Sequence, residues 1–208
     1  MTFAEQLPML AADKDPGRPR QPMTEPELAR IRLPRRRDDE GEAELPASVA
    51  AVLRYDQGFE LGGVSLVGPL LEARGGDGRV RSATVDALLR RGTWRDALAS
   101  VPEDVPLWNP DPALPALVPL GTAGPSPLFL YIGEPDEDGE YPLVRIDDQP
   151  EMWISDASVA HHVLEQLTGG APGAAAALRR AKERNEDRIR AEWWNDHPVV
   201  RAAVNRRT

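Results

Sequence analysis

The sequence predicts a mixed, loop-rich fold of short strands and helices, and three observations carry that reading. Between Pro127 and Leu167 three apolar segments, Leu128 to Ile132, Tyr141 to Ile146 and Met152 to Ile154, are separated by turn and acidic residues and lead into one amphipathic helix. The chain contains 21 prolines and 17 glycines, which demand frequent turns and irregular connections. Its 208 residues suit one domain with a sizeable core and appendages better than two full-sized domains.

Residues 1–44 are rich in proline and charge, so most of this stretch is expected over the surface or disordered, with 1–23 a flexible segment. TEPELARIR is the exception: Thr24 and Glu27 have capping-box spacing, and Leu28 and Ile31 share a helical face. Arg35 to Arg37 are followed at once by Asp38, Asp39 and Glu40, the pattern of a solvated mixed-charge loop. LPASVAAVLRYDQG then reads as a helix, with Pro46 in the first turn, Val49, Val52 and Leu53 on one face and Gly58 beyond the end.

Phe59 to Leu71 suits one or two strands with a bend at its glycines, and RGGDGR suits a turn. Ser82 to Arg91 and Thr93 to Ser100 read as short helices. The prolines at 102, 106, 110, 112, 115 and 119 exclude a regular helix and imply a long connection, pinned by Leu107 and Trp108 and ending in Leu117 to Leu120 ahead of the first late strand. After the strands, Asp156 or Ser155 is expected to cap a helix with Ala160, Val163, Leu164 and Leu167 as its stripe and Gly169 and Gly170 as its stop. Ala174 to Asn195 is predicted as a long polar helix with a sparse seam of Leu178, Ala181, Ile189 and Trp193.

The formal charge of −9 is unevenly placed: residues 101–160 hold 12 acidic side chains against one basic one, Arg145. Such a surface repels nucleic-acid phosphates and steers basic protein surfaces toward it. No run reaches the roughly 18 apolar residues of a membrane span. The N-terminal residues lack the basic and apolar pattern of a secretory signal, so a cytoplasmic protein is expected. The absence of cysteine removes disulfide and thiolate chemistry.

Catalytic patterns are weak throughout. His161 and His162 stand four and three residues from Glu165, a two-ligand geometry; a metal site needs three or four ligands, and the remaining histidine, His197, is distant. Exposed polar helix positions are the simpler reading. PDEDGE lacks the ligand spacing of a calcium loop. The carboxylates around Asp136, Asp138, Asp147 and Asp148 fall in predicted turns, whereas a catalytic pair needs a cleft. Gly75, Gly76 and Gly78 lack phosphate-loop spacing, and no nucleophile elbow occurs. Trp94, Trp108, Trp153, Trp193 and Trp194 read as packing anchors.

The order of elements resembles the SUKH superfamily. The residues that carry the likeness are Leu45-Pro46 opening a helix, Gly58-Phe59 at its end, a glycine-interrupted strand, VPLG at 118–121, then LFLYIG, YPLVRID, MWIS and a closing helix, over roughly Thr24 to Gly169. The sequence departs from that pattern at Gly124-Pro125-Ser126-Pro127 and at Ala157-Ser158-Val159. The resemblance implies an α+β fold with a single mostly antiparallel sheet flanked by helices. The expected divisions are a SUKH-like domain over 24–170 and a helical extension over 171–208.

Members are mostly intracellular immunity proteins of bacterial polymorphic toxin systems. The resemblance therefore implies no enzymatic activity and a protein that binds a cognate toxin; the residue patterns above give no cofactor, no metal, and neither nucleic acid nor membrane as a partner, and a monomer is expected when free. The expected partner-binding residues are Glu134, Asp136, Glu137, Asp138 and Glu140, with Asp147, Asp148 and Glu151, facing basic toxin residues such as those of a nuclease groove. The alternative is a non-catalytic adaptor of the same fold that binds a host protein. A hydrolase using the late carboxylates is a third class and would require that they converge in a pocket.

Overall fold

In a computed structural model, residues 1–12, 19–34, 42–61, 64–81, 83–84, 113–114, 117–123, 126–146 and 152–195 are described. The fold is α+β, built on a four-stranded antiparallel sheet. Its strands are β7 (Leu117–Ala123), β8 (Ser126–Tyr131), β9 (Leu143–Ile146) and β10 (Met152–Asp156), in the order β10-β9-β8-β7. Ahead of them come α1 (Phe3–Ala12), α2 (Glu25–Leu28), β1 (Leu33–Pro34), β2 (Glu42–Ala43), α3 (Ala47–Tyr55), β3 (Glu60–Leu61), β4 (Val64–Ser65), α4 (Gly68–Glu72), β5 (Ala83–Thr84) and β6 (Ala113–Leu114). The pairs β1-β2, β3-β4 and β5-β6 are two-stranded antiparallel ribbons. After the sheet come α5 (Val159–Thr168) and α6 (Ala174–Asn195).

Alternation along the strands divides the sheet into two faces. Leu128 and Leu130 of β8, Leu143 of β9 and Val118 of β7 join the main core with Val49, Val52 and Leu53 of α3 and Val159 and Val163 of α5. Phe129, Val144 and Ile154 are cross-strand neighbours on the other face, all buried, and α6 lies against β10. Helices therefore flank the sheet, and the long C-terminal helix spans the residues its pattern predicts.

Several expectations are corrected. Phe3–Ala12 is a helix rather than part of a flexible segment, and its Leu7 and Ala11 enter the core against α3 and α5. The Thr2 amide donates to the Glu5 carboxylate (2.6 Å) and the Glu5 amide to the Thr2 hydroxyl (3.4 Å), a reciprocal cap that starts it. Leu117–Leu120 does not lead into the sheet; it is the first half of edge strand β7, where Pro119 needs no inner ladder donor.

Only the first half of Phe59–Leu71 is strand, the β3-β4 hairpin; Gly68–Glu72 turns helical behind Pro69, with the Ser65 hydroxyl accepting from the Gly68 amide (3.0 Å). Ala83–Thr84, expected to open a helix, pairs with Ala113–Leu114 as a strand. Trp153 is 39% exposed rather than an anchor. The expected helical residues 85–100, Leu107 and Trp108 lie outside the described residues, as does Trp94. No helix among the described residues is long and apolar enough to cross a membrane.

Candidate functional site

The acidic connection between β8 and β9 is a loop closed by its own hydrogen bonds. Asp136 organises it: one carboxylate oxygen accepts from the amides of Asp138 (3.0 Å) and Glu140 (2.9 Å), and its own amide donates to the Glu140 carbonyl (2.9 Å). This is the local side-chain mimicry of a backbone turn that aspartate favours. Gly139 closes the turn at φ +77°, a left-handed conformation costly for a residue with a Cβ.

Both flanks of the loop are tied to helices. At one side the Glu134 amide donates to Asn185 Oδ1 (2.7 Å) and Asn185 Nδ2 donates back to the Glu134 carbonyl (3.0 Å), while the Glu134 carboxylate lies 3.6 Å from Arg188. Asn185 is fully buried on α6. At the other side Glu140 reaches the start of α3, where the Ser48 amide donates to one carboxylate oxygen (2.7 Å) and the Ser48 hydroxyl to the other. A carboxylate brought from 92 residues away thereby does the work of an N-cap, since Pro46 at the cap position has no side-chain acceptor. Burial pushes the Glu140 carboxyl above its ordinary value of 4.5 despite the two Ser48 bonds, and the nearby charges of Asp136 and Asp138 push the same way.

Of the expected partner-binding residues, then, Asp136 and Glu140 are spent on the fold and Glu134 is half committed to α6. Glu137 and Asp138 project as the exposed tip. Asp147, Asp148 and Glu151 lie outside the described residues, so the structure brings together five of the eight.

A second cluster went unread in the sequence. Asp156, at the end of β10 and not at the helix cap, has Oδ2 3.2 Å from His162 Nδ1 and accepts from the Ser155 hydroxyl (2.7 Å). Burial opposes its charge, but the His162 and Ser155 bonds, with Arg145 nearby, outweigh burial and hold its carboxyl below the ordinary value of 3.8. The helix cap is Ser158, whose hydroxyl accepts from the His161 amide (3.3 Å) and lies 2.9 Å from His161 Nδ1.

His162 is 5% exposed, which corrects its reading as an exposed polar position. Two serines, two histidines and an aspartate suggest nucleophilic chemistry, yet Ser158 is 2% exposed and used as a cap, and the Ser155 hydroxyl is turned onto Asp156. The cluster fastens α5 to β10. The six-residue spacing of Asp156 and His162 matches neither helical nor strand periodicity, so only the strand-to-helix corner reveals it. Among the described residues no three His, Asp or Glu side chains converge as metal ligands; His197 lies outside them.

Comparison with known proteins adds a family. No curated protein matches. A crystal structure of an uncharacterized protein from Salmonella enterica subsp. enterica serovar typhimurium str. 14028s is similar at 23% identity and a TM-score of 0.72, covering 99% of each chain. At that identity the likeness speaks to the fold alone. Residues 10–176 match the model of a domain of unknown function, DUF5066, a span running from within α1 to the first turn of α6. The chain belongs to the DUF5066 family.

Proposed function

We propose that this protein is a non-catalytic binding module, an intracellular immunity protein that neutralises a cognate bacterial toxin domain by covering it. The observation that carries this reading is the acidic tip: Glu137 and Asp138 are exposed on a turn that Asp136, Asn185 and Glu140 hold in one conformation. A preformed tip loses little conformational entropy on binding, and its charge steers a basic surface into encounter. The SUKH-like order of elements supports the toxin as partner. The same order fits an adaptor for a host protein, and the two readings differ in what the partner does to a cell.

The test has two arms. The full chain is used to capture partners from its source cells, and the captured protein is expressed with and without it. Growth arrest relieved by the full chain supports the immunity reading; a harmless partner favours the adaptor. With the partner in hand, Glu137→Lys combined with Asp138→Lys should slow association about tenfold or more at low salt, the effect shrinking as salt rises. An unchanged on-rate would remove the tip from the interface.

A further inference from the structure

The arginine-rich corner of the molecule has donors that its own fold leaves unused. Two short segments meet there: the Arg32 amide donates to the Gly78 carbonyl (3.1 Å) and the Val80 amide to the Arg32 carbonyl (2.8 Å), locking Arg32 beside Arg79. Gly78, at φ +86°, lets the turn press on the Arg30 carbonyl, where an added Cβ would collide. Glu42 on β2 stands between the guanidinium groups, with Arg79 Nε 2.8 Å from one oxygen and Arg32 Nε 3.4 Å from the other. Arg32 also spends Nη1 on the Ala29 and Ile31 carbonyls. Among the described residues neither arginine has a further acceptor, which leaves Nη2 of Arg32 and both terminal nitrogens of Arg79 open.

These side chains border a cleft with Leu33, Pro34 and Val80, of which Leu33 and Val80 are buried in the core. The two guanidinium groups share the Glu42 carboxylate, and the accessible apolar surface beside them is that of Pro34, because Leu33 and Val80 lie in the core. We infer that this cleft is a binding site for a small organic oxyanion, a carboxylate or phosphate head on an apolar body. The open guanidinium edges would grip the head, since planar arginine donors match both groups, and Pro34 with the aliphatic stems of the two arginines would receive the body. The site is independent of the acidic tip.

The experiment follows amide signals of the isotopically labelled full chain at low salt during titration with inorganic phosphate and, separately, benzoate. Saturable shifts at Leu33, Glu42, Ala43, Arg79 and Val80 with at least one probe are expected, and the 134–140 loop should stay still. Saturation by phosphate alone assigns a phosphate head, and saturation by benzoate alone assigns a carboxylate on an apolar body. Arg79→Gln should weaken binding about tenfold, the loss expected for charge-assisted hydrogen bonds, while Arg79→Lys keeps part of it. Because the backbone bonds of Arg79 survive both changes, an unaltered spectrum elsewhere certifies the fold. Shifts that never saturate, that fall elsewhere, or that persist unchanged in Arg79→Gln overturn the site.

Discussion

The acidic loop and the arginine corner are both charge clusters, but they use their charges in opposite ways. In the loop the inner carboxylates are consumed by the fold: Asp136 shapes the turn, Glu140 caps α3 and the Glu134 backbone is clasped by α6. In the corner the backbone does the positioning, and the two guanidinium groups hold one shared carboxylate with donors left over. Charge counted along a sequence therefore overstates what the loop can offer a partner and understates what the corner can.

Mutations can break or sharpen that contrast, and the largest effect should come from the loop's buried anchor. Asn185→Ala removes three hydrogen bonds at a fully buried position, two of them to Glu134, and should cost about 3 kcal/mol in a denaturant titration. A loss below about 1 kcal/mol would mean the loop anchors itself.

Next comes Glu140→Ala, which orphans the amide of Ser48, a residue only 3% exposed, and should cost about 2 kcal/mol. Glu140→Gln keeps partners for Ser48 and removes a buried charge facing Asp136 and Asp138, so it should be close to neutral. Its pH dependence has a definite sign. Because the folded-state value of Glu140 is raised, wild type gains stability from this group below the ordinary 4.5 and loses it as pH rises through the folded value. Relative to Glu140→Gln, wild type should thus be most stable near pH 4 and weaken toward neutrality. A difference of the opposite slope would contradict the buried geometry.

The smallest effects should come from exposed charges. Arg79→Gln breaks a surface ion pair at a side chain 71% exposed and should change stability by less than about 0.5 kcal/mol, as should Glu137→Ala and Asp138→Ala. A loss from Arg79→Gln as large as that from Glu140→Ala would erase the contrast, because the corner would then also be structural.

Much of the fold was legible because it follows local rules. Short apolar segments bounded by turn and acidic residues marked β8, β9 and β10, helical spacing marked α3, and the polar run from Ala174 to Asn195 marked α6. What escaped was of two kinds. α1 carried the same Thr-x-x-Glu signal that marked α2, at Thr2 and Glu5, but proline and charge in the surrounding stretch masked it. β7 escaped because Pro119 forbids a central strand and is compatible only with an edge. Of the candidate site, the acidic composition was legible and the division of labour within it was not.

By itself the sequence determined the periodicities, the caps that lie within one turn of their helices, and where charge accumulates, since these depend on neighbours a few residues apart. The tertiary structure decided which charges are free. Glu140 meets Ser48 across 92 residues, Glu134 meets Asn185 across 51 and Arg79 meets Glu42 across 37, and no local rule reaches that far. The fate of a carboxylate or a guanidinium depends on burial and on partners brought by the whole chain.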